Sequence, residues 1–70
     1  MTREAVISTE LRSVGYDQET LTLEVEFHRG GTYRYLGVKS SMHAALMAAS
    51  SKGRYFNTYI KDVYSYERVA

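Results

Sequence analysis

The sequence contains no cysteine and no proline, and it has no long run of apolar residues. Without cysteine, the chain can form neither a disulfide nor a thiolate zinc site, and it offers no cysteine nucleophile. The residues that follow Met1 are polar, so we expect neither a signal peptide nor a membrane-spanning segment. These absences favour a cytoplasmic protein that is held together by side-chain packing alone.

The chain has 70 residues, which suffice for one domain with a small core. Seven tyrosines and two phenylalanines supply much of the apolar surface for it. The net charge is +1, but residues 1–30 carry three basic and six acidic side chains, whereas residues 31–70 carry six basic and two acidic ones. The halves could neutralise each other across the fold, which we favour, or the second half could bind an anionic partner.

Alternation of apolar and polar residues predicts a half-buried strand over residues 20–28. A glycine pair follows and predicts a hairpin, because glycine accepts the positive φ that tight turns require. A three-residue loop at residues 29–31 would place Arg34 opposite Glu26 on the outer face of the sheet. The same register turns two tyrosines inward and pairs Tyr33 with Phe27 and Tyr35 with Val25.

A further strand is predicted upstream over residues 9–16, with a bulge near Ser13 or Gly15 where the alternation breaks. Asp17 begins the turn that follows it, because its carboxylate can accept a hydrogen bond from the backbone ahead. The three strands would form an antiparallel meander. They supply these core candidates: Tyr16, Leu21, Leu23, Val25, Phe27, Tyr33 and Tyr35.

From Val38 onward, apolar residues recur at helical spacing and predict a helix over residues 39–50, with Gly53 as its C′ residue. A second short helix is predicted around residues 55–60, and the alternating tail at 63–69 predicts a short strand or an extended arm. The order of elements predicts an α+β fold with one or two short helices packed on the meander. The helical core candidates are Leu46, Phe56 and Ile60.

Several blocks of the sequence, taken in order, form a specific pattern. They are VGYD at residues 14–17, TL at 20–21, VEF at 25–27, GTYRY at 31–35, SKGRYFN at 51–57 and YSYER at 64–68, with Val38, Leu46, Ala49 and Ile60 between them. This pattern resembles the KTSC domain family over roughly residues 8–69, so we interpret residues 1–70 as a single KTSC-like domain.

The family takes its name from the C-terminus of some lysyl-tRNA synthetases, and it also includes small free-standing proteins. The resemblance implies no known activity; it implies a role in RNA binding through that attachment. One departure concerns Lys39, which stands where the family often has proline at a helix start, so we expect this helix start to fray.

The segment over residues 51–57 is the candidate nucleic-acid site. Backbone N–H groups near a helix start attract anions, and Lys52 and Arg54 flank Gly53 at that place. Asn57 can both donate and accept hydrogen bonds. The alternative is that these residues cap helices and are otherwise solvated. The candidate RNA-contacting residues are Lys52, Gly53, Arg54, Tyr55, Asn57, Lys61 and Arg68.

No catalytic, metal or cofactor site is predicted. His28 and His43 are too few for zinc and are expected to be solvated, and no serine has the partners of a catalytic triad. Glu24 and Glu26 are expected to form a surface ion pair with Arg34. Tyr33 and Tyr35 could stack on bases, although the hairpin register that we favour, with a three-residue loop at residues 29–31, places both in the core.

Two functions from different classes remain open. The first is a non-enzymatic module for tRNA or single-stranded RNA, in which Lys52, Arg54 and Lys61 contact phosphates and Tyr55 or Asn57 contacts a base or sugar. The alternative is a protein-interaction or regulatory module of bacterial, phage or mobile-element origin, either homodimeric or bound to another protein. RNA binding should weaken steeply with salt, whereas apolar docking should not.

Overall fold

The computed structural model describes residues 1–70 and contains five strands and two helices. Along the chain they are β1 (Arg3–Ala5), β2 (Leu11–Asp17), β3 (Thr22–Phe27), β4 (Thr32–Leu36), α1 (Ser40–Ala48), α2 (Lys52–Tyr59) and β5 (Tyr66–Arg68). The strands form one antiparallel sheet in chain order, and both helices pack on the same face of it. The predicted α+β class, a meander followed by helices, is confirmed.

The core lies between the sheet and the helices and consists of nine buried apolar side chains. The rings of Tyr35 on β4 and Phe56 on α2 meet edge to face at 5.2 Å, which joins the two layers. Six of the predicted core residues are buried: Leu23, Val25, Tyr35, Leu46, Phe56 and Ile60. The other three members of this apolar core, which were not among the predicted core residues, are Leu11, Val14 and Val38.

The prediction that Leu21 belongs to the core is wrong. Leu21 lies in the turn before β3 with a φ of 55°, and its side chain is 38% exposed. The turn itself is as predicted, because Oδ1 of Asp17 accepts a hydrogen bond from the N–H of Glu19 at 3.0 Å. Three further predicted core residues are half-buried at the margin of the core: Tyr16, Phe27 and Tyr33.

The β3–β4 hairpin is shifted by two residues from the predicted register. Its loop comprises residues 28–30, and Arg34 pairs with Glu24 instead of Glu26. Because side chains alternate with a period of two, this shift leaves every side chain on the predicted face of the sheet. The tyrosines therefore still point toward the helices, with Tyr33 opposite Val25 and Tyr35 opposite Leu23.

The N-terminal strand β1 was not predicted. It pairs with β2, in which the predicted irregularity lies between Leu11 and Ser13. The side chain of Arg3 on β1 passes over Gly15 on β2. A Cβ at position 15 would lie 3.0 Å from Cγ of Arg3. The arginine thereby reaches Glu24 on β3, so three strands are joined across the outer face.

The helices differ from the prediction at their junction. Gly53 does not end α1, which stops at Ala48; it is a buried residue in the first turn of α2. The side chain of Ser51 caps α2 by accepting a hydrogen bond from the N–H of Arg54 at 3.4 Å. Lys39 precedes α1 without a side-chain cap. Neither helix has the length and apolar character that a membrane crossing requires.

Candidate nucleic-acid interface

The predicted RNA-contacting residues divide into two groups. At the start of α2, Lys52 donates a hydrogen bond from Nζ to the carbonyl of Ala49 at 3.1 Å. This bond gives a partner to a carbonyl group at the C-terminal end of α1. Tyr55 packs its ring 4.7 Å from that of Tyr59 and donates its hydroxyl to a methionine sulfur. The guanidinium of Arg54 is exposed and has no acidic partner. This group therefore contributes two cations without an ion pair, Lys52 and Arg54, and of these only the Arg54 side chain forms no hydrogen bond.

The sequence predicts that an external anion binds at the start of α2. In the structure, the carboxylate of Glu10 lies beside this part of the helix. Its two carboxylate oxygens each lie 3.2 Å from Nδ2 of Asn57. Its carboxyl carbon would stand 3.2 Å from a Cβ on Gly53, so a larger residue at that position would require the Glu10 side chain to shift. An external phosphate would have to compete with this carboxylate for the first turns of the helix.

The second group borders a cleft of about 670 Å³ between α2 and the hairpin end of the sheet. This volume lies within the range of small-molecule pockets. Asn57 and Lys61 line the cleft, and Arg68 lies beside it with its guanidinium carbon 5.9 Å from the ring centroid of Tyr33. We call this feature the aromatic cleft, because five aromatic residues line it: Phe27, Tyr33, Tyr35, Phe56 and Tyr66.

The aromatic cleft exists because the sheet extends beyond the helices that cover its inner face. On β5, Tyr66 pairs with Tyr35 and Arg68 pairs with Tyr33, so these side chains continue the inner face. Tyr66 is 58% exposed, whereas Tyr35 is buried beneath Phe56. Burial, with a smaller effect of neighbouring groups, raises the pKa of Tyr35 to about 12. The tyrosine rings that a ligand can reach are therefore those of the exposed Tyr66 and the half-buried Tyr33.

The rings of the aromatic cleft form a connected series. The centroid of Tyr33 lies 5.7 Å from that of Phe27 and 5.8 Å from that of Tyr66. The two tyrosine rings are therefore too close for a base to enter between them. A planar ligand would have to lie against the outward face of one ring.

The charged residues of the aromatic cleft carry both signs. Arg29 and Lys61 line it and form no ion pair, and Arg68 adds a third cation beside Tyr33. Glu10 and Asp62 also line it. The cations exceed the acids by one, so aromatic contact rather than charge should dominate binding there.

The expectation that both histidines are solvated is wrong for His43. Its ring stacks on that of Tyr16 at 4.6 Å with an interplanar angle of 9°, and burial lowers its pKa against the opposing effect of Glu4. His28 is exposed, and its Nε2 lies 3.0 Å from the carbonyl oxygen of Ser8. Nowhere do three potential metal-binding side chains come together.

The sequence prediction missed the contribution of β3, β5 and the hairpin loop to the aromatic cleft. Phe27 was assigned to the core, and neither Arg29 nor Tyr66 was predicted as a site residue. The only sequence signal for Tyr66 is the alternation of the tail, and this alternation does not show which strand the tail joins.

Comparison with known proteins identifies the family. A family model described as the KTSC domain matches residues 7–64. An uncharacterised protein of Stutzerimonas stutzeri is 47% identical over 70 residues, which cover 99% of both chains. A lysine–tRNA ligase of Nostoc punctiforme is 37% identical over 60 residues, which are 86% of this chain but 11% of the ligase.

A solved structure shows the same fold. The crystal structure of a KTSC domain protein from Yersinia pestis superposes with a TM-score of 0.97 at 39% sequence identity, covering 99% of this chain and 97% of that one. The full-length matches and the family model agree, and the chain belongs to the KTSC family.

Proposed function

We propose that this protein is a non-enzymatic, cytoplasmic RNA-binding module whose aromatic cleft receives an unpaired nucleotide. The observation that carries the proposal is that accessible tyrosine rings and three cations, Arg29, Lys61 and Arg68, lie together at one cleft. Proteins read unpaired RNA by stacking its bases on aromatic rings and contacting its phosphates with basic side chains. Each stacked base contributes about 1–3 kcal/mol.

The relatives support RNA as the ligand class. The ligase of Nostoc punctiforme is named for joining lysine to tRNA, and a domain similar to this chain makes up 11% of it. Single-stranded loops and ends of a structured RNA would present the unpaired nucleotides that the aromatic cleft can accept.

The small excess of positive charge limits the expected affinity and its salt dependence. Three phosphate contacts on a single strand correspond to a slope of about −2 in a plot of log affinity against log salt. Affinity should therefore fall about 20-fold between about 50 and 200 mM salt. Apolar docking of a protein would show almost no such slope.

A pair of charge reversals tests where RNA binds. We expect Lys61→Glu to weaken binding of a labelled single-stranded RNA of about eight nucleotides by about tenfold in fluorescence anisotropy. Arg54→Glu is the matched control, because Arg54 is equally a free cation but lies outside the aromatic cleft. It should change the affinity less than about threefold.

The result of this pair decides between two places for the ligand. A larger loss in Arg54→Glu than in Lys61→Glu would place the RNA at the start of α2, as the sequence suggests. Failure of the unmodified protein to bind RNA would overturn the proposal.

A protein partner is the second candidate, and one observation favours it. The sheet is open at both edges, where β1 and β5 have a neighbour on one side only, and such edges can pair with a strand of another chain. Light scattering at high protein concentration would detect pairing between two copies of this chain.

A further inference from the structure

Glu10 sets the orientation of the Asn57 amide within the aromatic cleft. A carboxylate can only accept hydrogen bonds, so the amide nitrogen of Asn57 must face it. Both oxygens of Glu10 lie 3.2 Å from that nitrogen. The amide oxygen is consequently turned away from Glu10, and it has no hydrogen-bond partner within the protein.

One N–H bond of Asn57 also remains available. The two N–H bonds of an amide diverge too widely for both to point at a single carboxylate at this distance. Asn57 can thus present an acceptor and a donor side by side. Asn57 lines the same cleft as the tyrosines, so a base stacked on one of their rings would have its edge within the cleft that holds these two groups.

Charged groups of both signs line the aromatic cleft around Asn57: Arg29 and Lys61 donate hydrogen bonds, and two carboxylates accept them. Glu10 and Asp62 both line the aromatic cleft and both carry carboxylates. Such groups attract an exocyclic amino group and repel a carbonyl oxygen. Among the four standard RNA bases, adenine has an exocyclic amino group and no carbonyl, whereas uracil has two carbonyls and no amino group. An asparagine amide also matches the amino group and the adjacent ring nitrogen of adenine.

We propose that the aromatic cleft selects an unpaired adenine, and that Asn57, oriented by Glu10, determines this preference. The proposal rests on the RNA-binding function proposed above and adds the identity of the base. Asn57 would accept a hydrogen bond from the adenine amino group and donate one to a ring nitrogen. Glu10 is the positioning residue, because it prevents the amide of Asn57 from reversing.

The test compares an RNA of about eight uridines with the same RNA carrying one central adenosine, because this pair avoids the self-stacking of adenine tracts. By fluorescence anisotropy, the unmodified protein should bind the adenosine-containing RNA about tenfold more tightly. Asn57→Ala should reduce this ratio to below about twofold. Thr58→Ala is the control, since Thr58 is the exposed neighbour on the same helix and lies outside the cleft.

The substitution Glu10→Gln tests whether Glu10 acts by orienting the amide of Asn57 or only by stabilising the fold. A glutamine can donate to the Asn57 oxygen and so permits the reversed amide. We expect this variant to lose most of the preference for adenosine while it binds the all-uridine RNA more tightly than the unmodified protein, because a negative charge has been removed.

Three outcomes would overturn this inference. Equal affinity of the unmodified protein for the two RNAs would exclude base selection, and the RNA-binding proposal would stand if Lys61→Glu still weakened both. Retention of the tenfold ratio in Asn57→Ala would exclude Asn57 as its source. Absence of binding to either RNA would overturn both proposals.

Discussion

Glu24 carries a carboxylate on the outer face of the sheet and is nevertheless only 7% exposed. Arg3 on β1 and Arg34 on β4 donate to its two oxygens at 3.0 and 2.8 Å. A carboxylate that is withdrawn from water must be paired, and here one acid pairs with a base from each side. The sequence predicts an ordinary surface ion pair for Glu24, whereas the structure shows a nearly buried carboxylate that is paired on both sides.

Two isosteric substitutions test the role of Glu24. Glu24→Gln should lower the free energy of unfolding by about 1–2 kcal/mol in urea denaturation, with the partial exposure of both arginines limiting the loss. Glu26→Gln is the control, since Glu26 is more exposed and lies 3.9 Å from Arg3; it should cost less than about 0.5 kcal/mol. Raising the salt concentration to about 1 M should reduce the difference in free energy of unfolding between the two variants. Equal costs would show that the two arginines do not stabilise Glu24.

Among the elements, α1 has the weakest start. Lys39 provides no side-chain cap, although its carbonyl accepts hydrogen bonds from the N–H groups of Met42 and His43. Its φ of −71° matches that of proline, and its own N–H forms no hydrogen bond with the backbone. The position therefore satisfies both conditions for the proline that the family often has.

The substitution Lys39→Pro should accordingly stabilise the protein. We expect the free energy of unfolding to rise by about 0.5–1 kcal/mol, because proline restricts the unfolded chain at a position whose native φ it can adopt. Lys39→Ala separates this effect from loss of the charge and should be nearly neutral. Urea denaturation measures both, and a destabilised proline variant would contradict the prediction.

For the whole molecule, the packing of α1 on the sheet links stability to pH. Burial lowers the pKa of His43 in the folded state, so the unfolded chain binds a proton more readily. Stability should be complete above the unfolded value of about 6.5 and should decrease as the pH falls through it toward the folded value. His43→Phe keeps a ring against Tyr16 and should remove this dependence.

Tyr35 should limit stability at the opposite end of the pH range. Its pKa is raised to about 12 in the fold, whereas an unfolded tyrosine ionises near 10. Stability should therefore be complete below about pH 10 and decrease as the pH rises from there toward 12. Urea midpoints from about pH 5 to pH 11 measure both limits. Tyr35→Phe should weaken the alkaline decrease, and an unchanged decrease would assign it to other tyrosines such as Tyr16.

Much of the fold could be predicted from the sequence, because its signals are local. The alternation that forms β3, the Asp17 turn, the apolar spacing of α2 and the inward-facing tyrosines depend on residues a few positions apart. β1 was missed because three residues are too few for a period to show. The hairpin register was missed by two positions because alternation specifies a face of the sheet and not a partner.

The sequence by itself determined the family, the α+β class and the side of the sheet that holds the core, since periodicity and turn chemistry reside in neighbouring residues. Only the tertiary structure decided the site. The contact between Glu10 and Asn57 joins residues 47 positions apart, and the aromatic cleft forms where β5 pairs with β4 beyond the cover of α2. No local pattern encodes such distances, because they result from the packing of the whole chain.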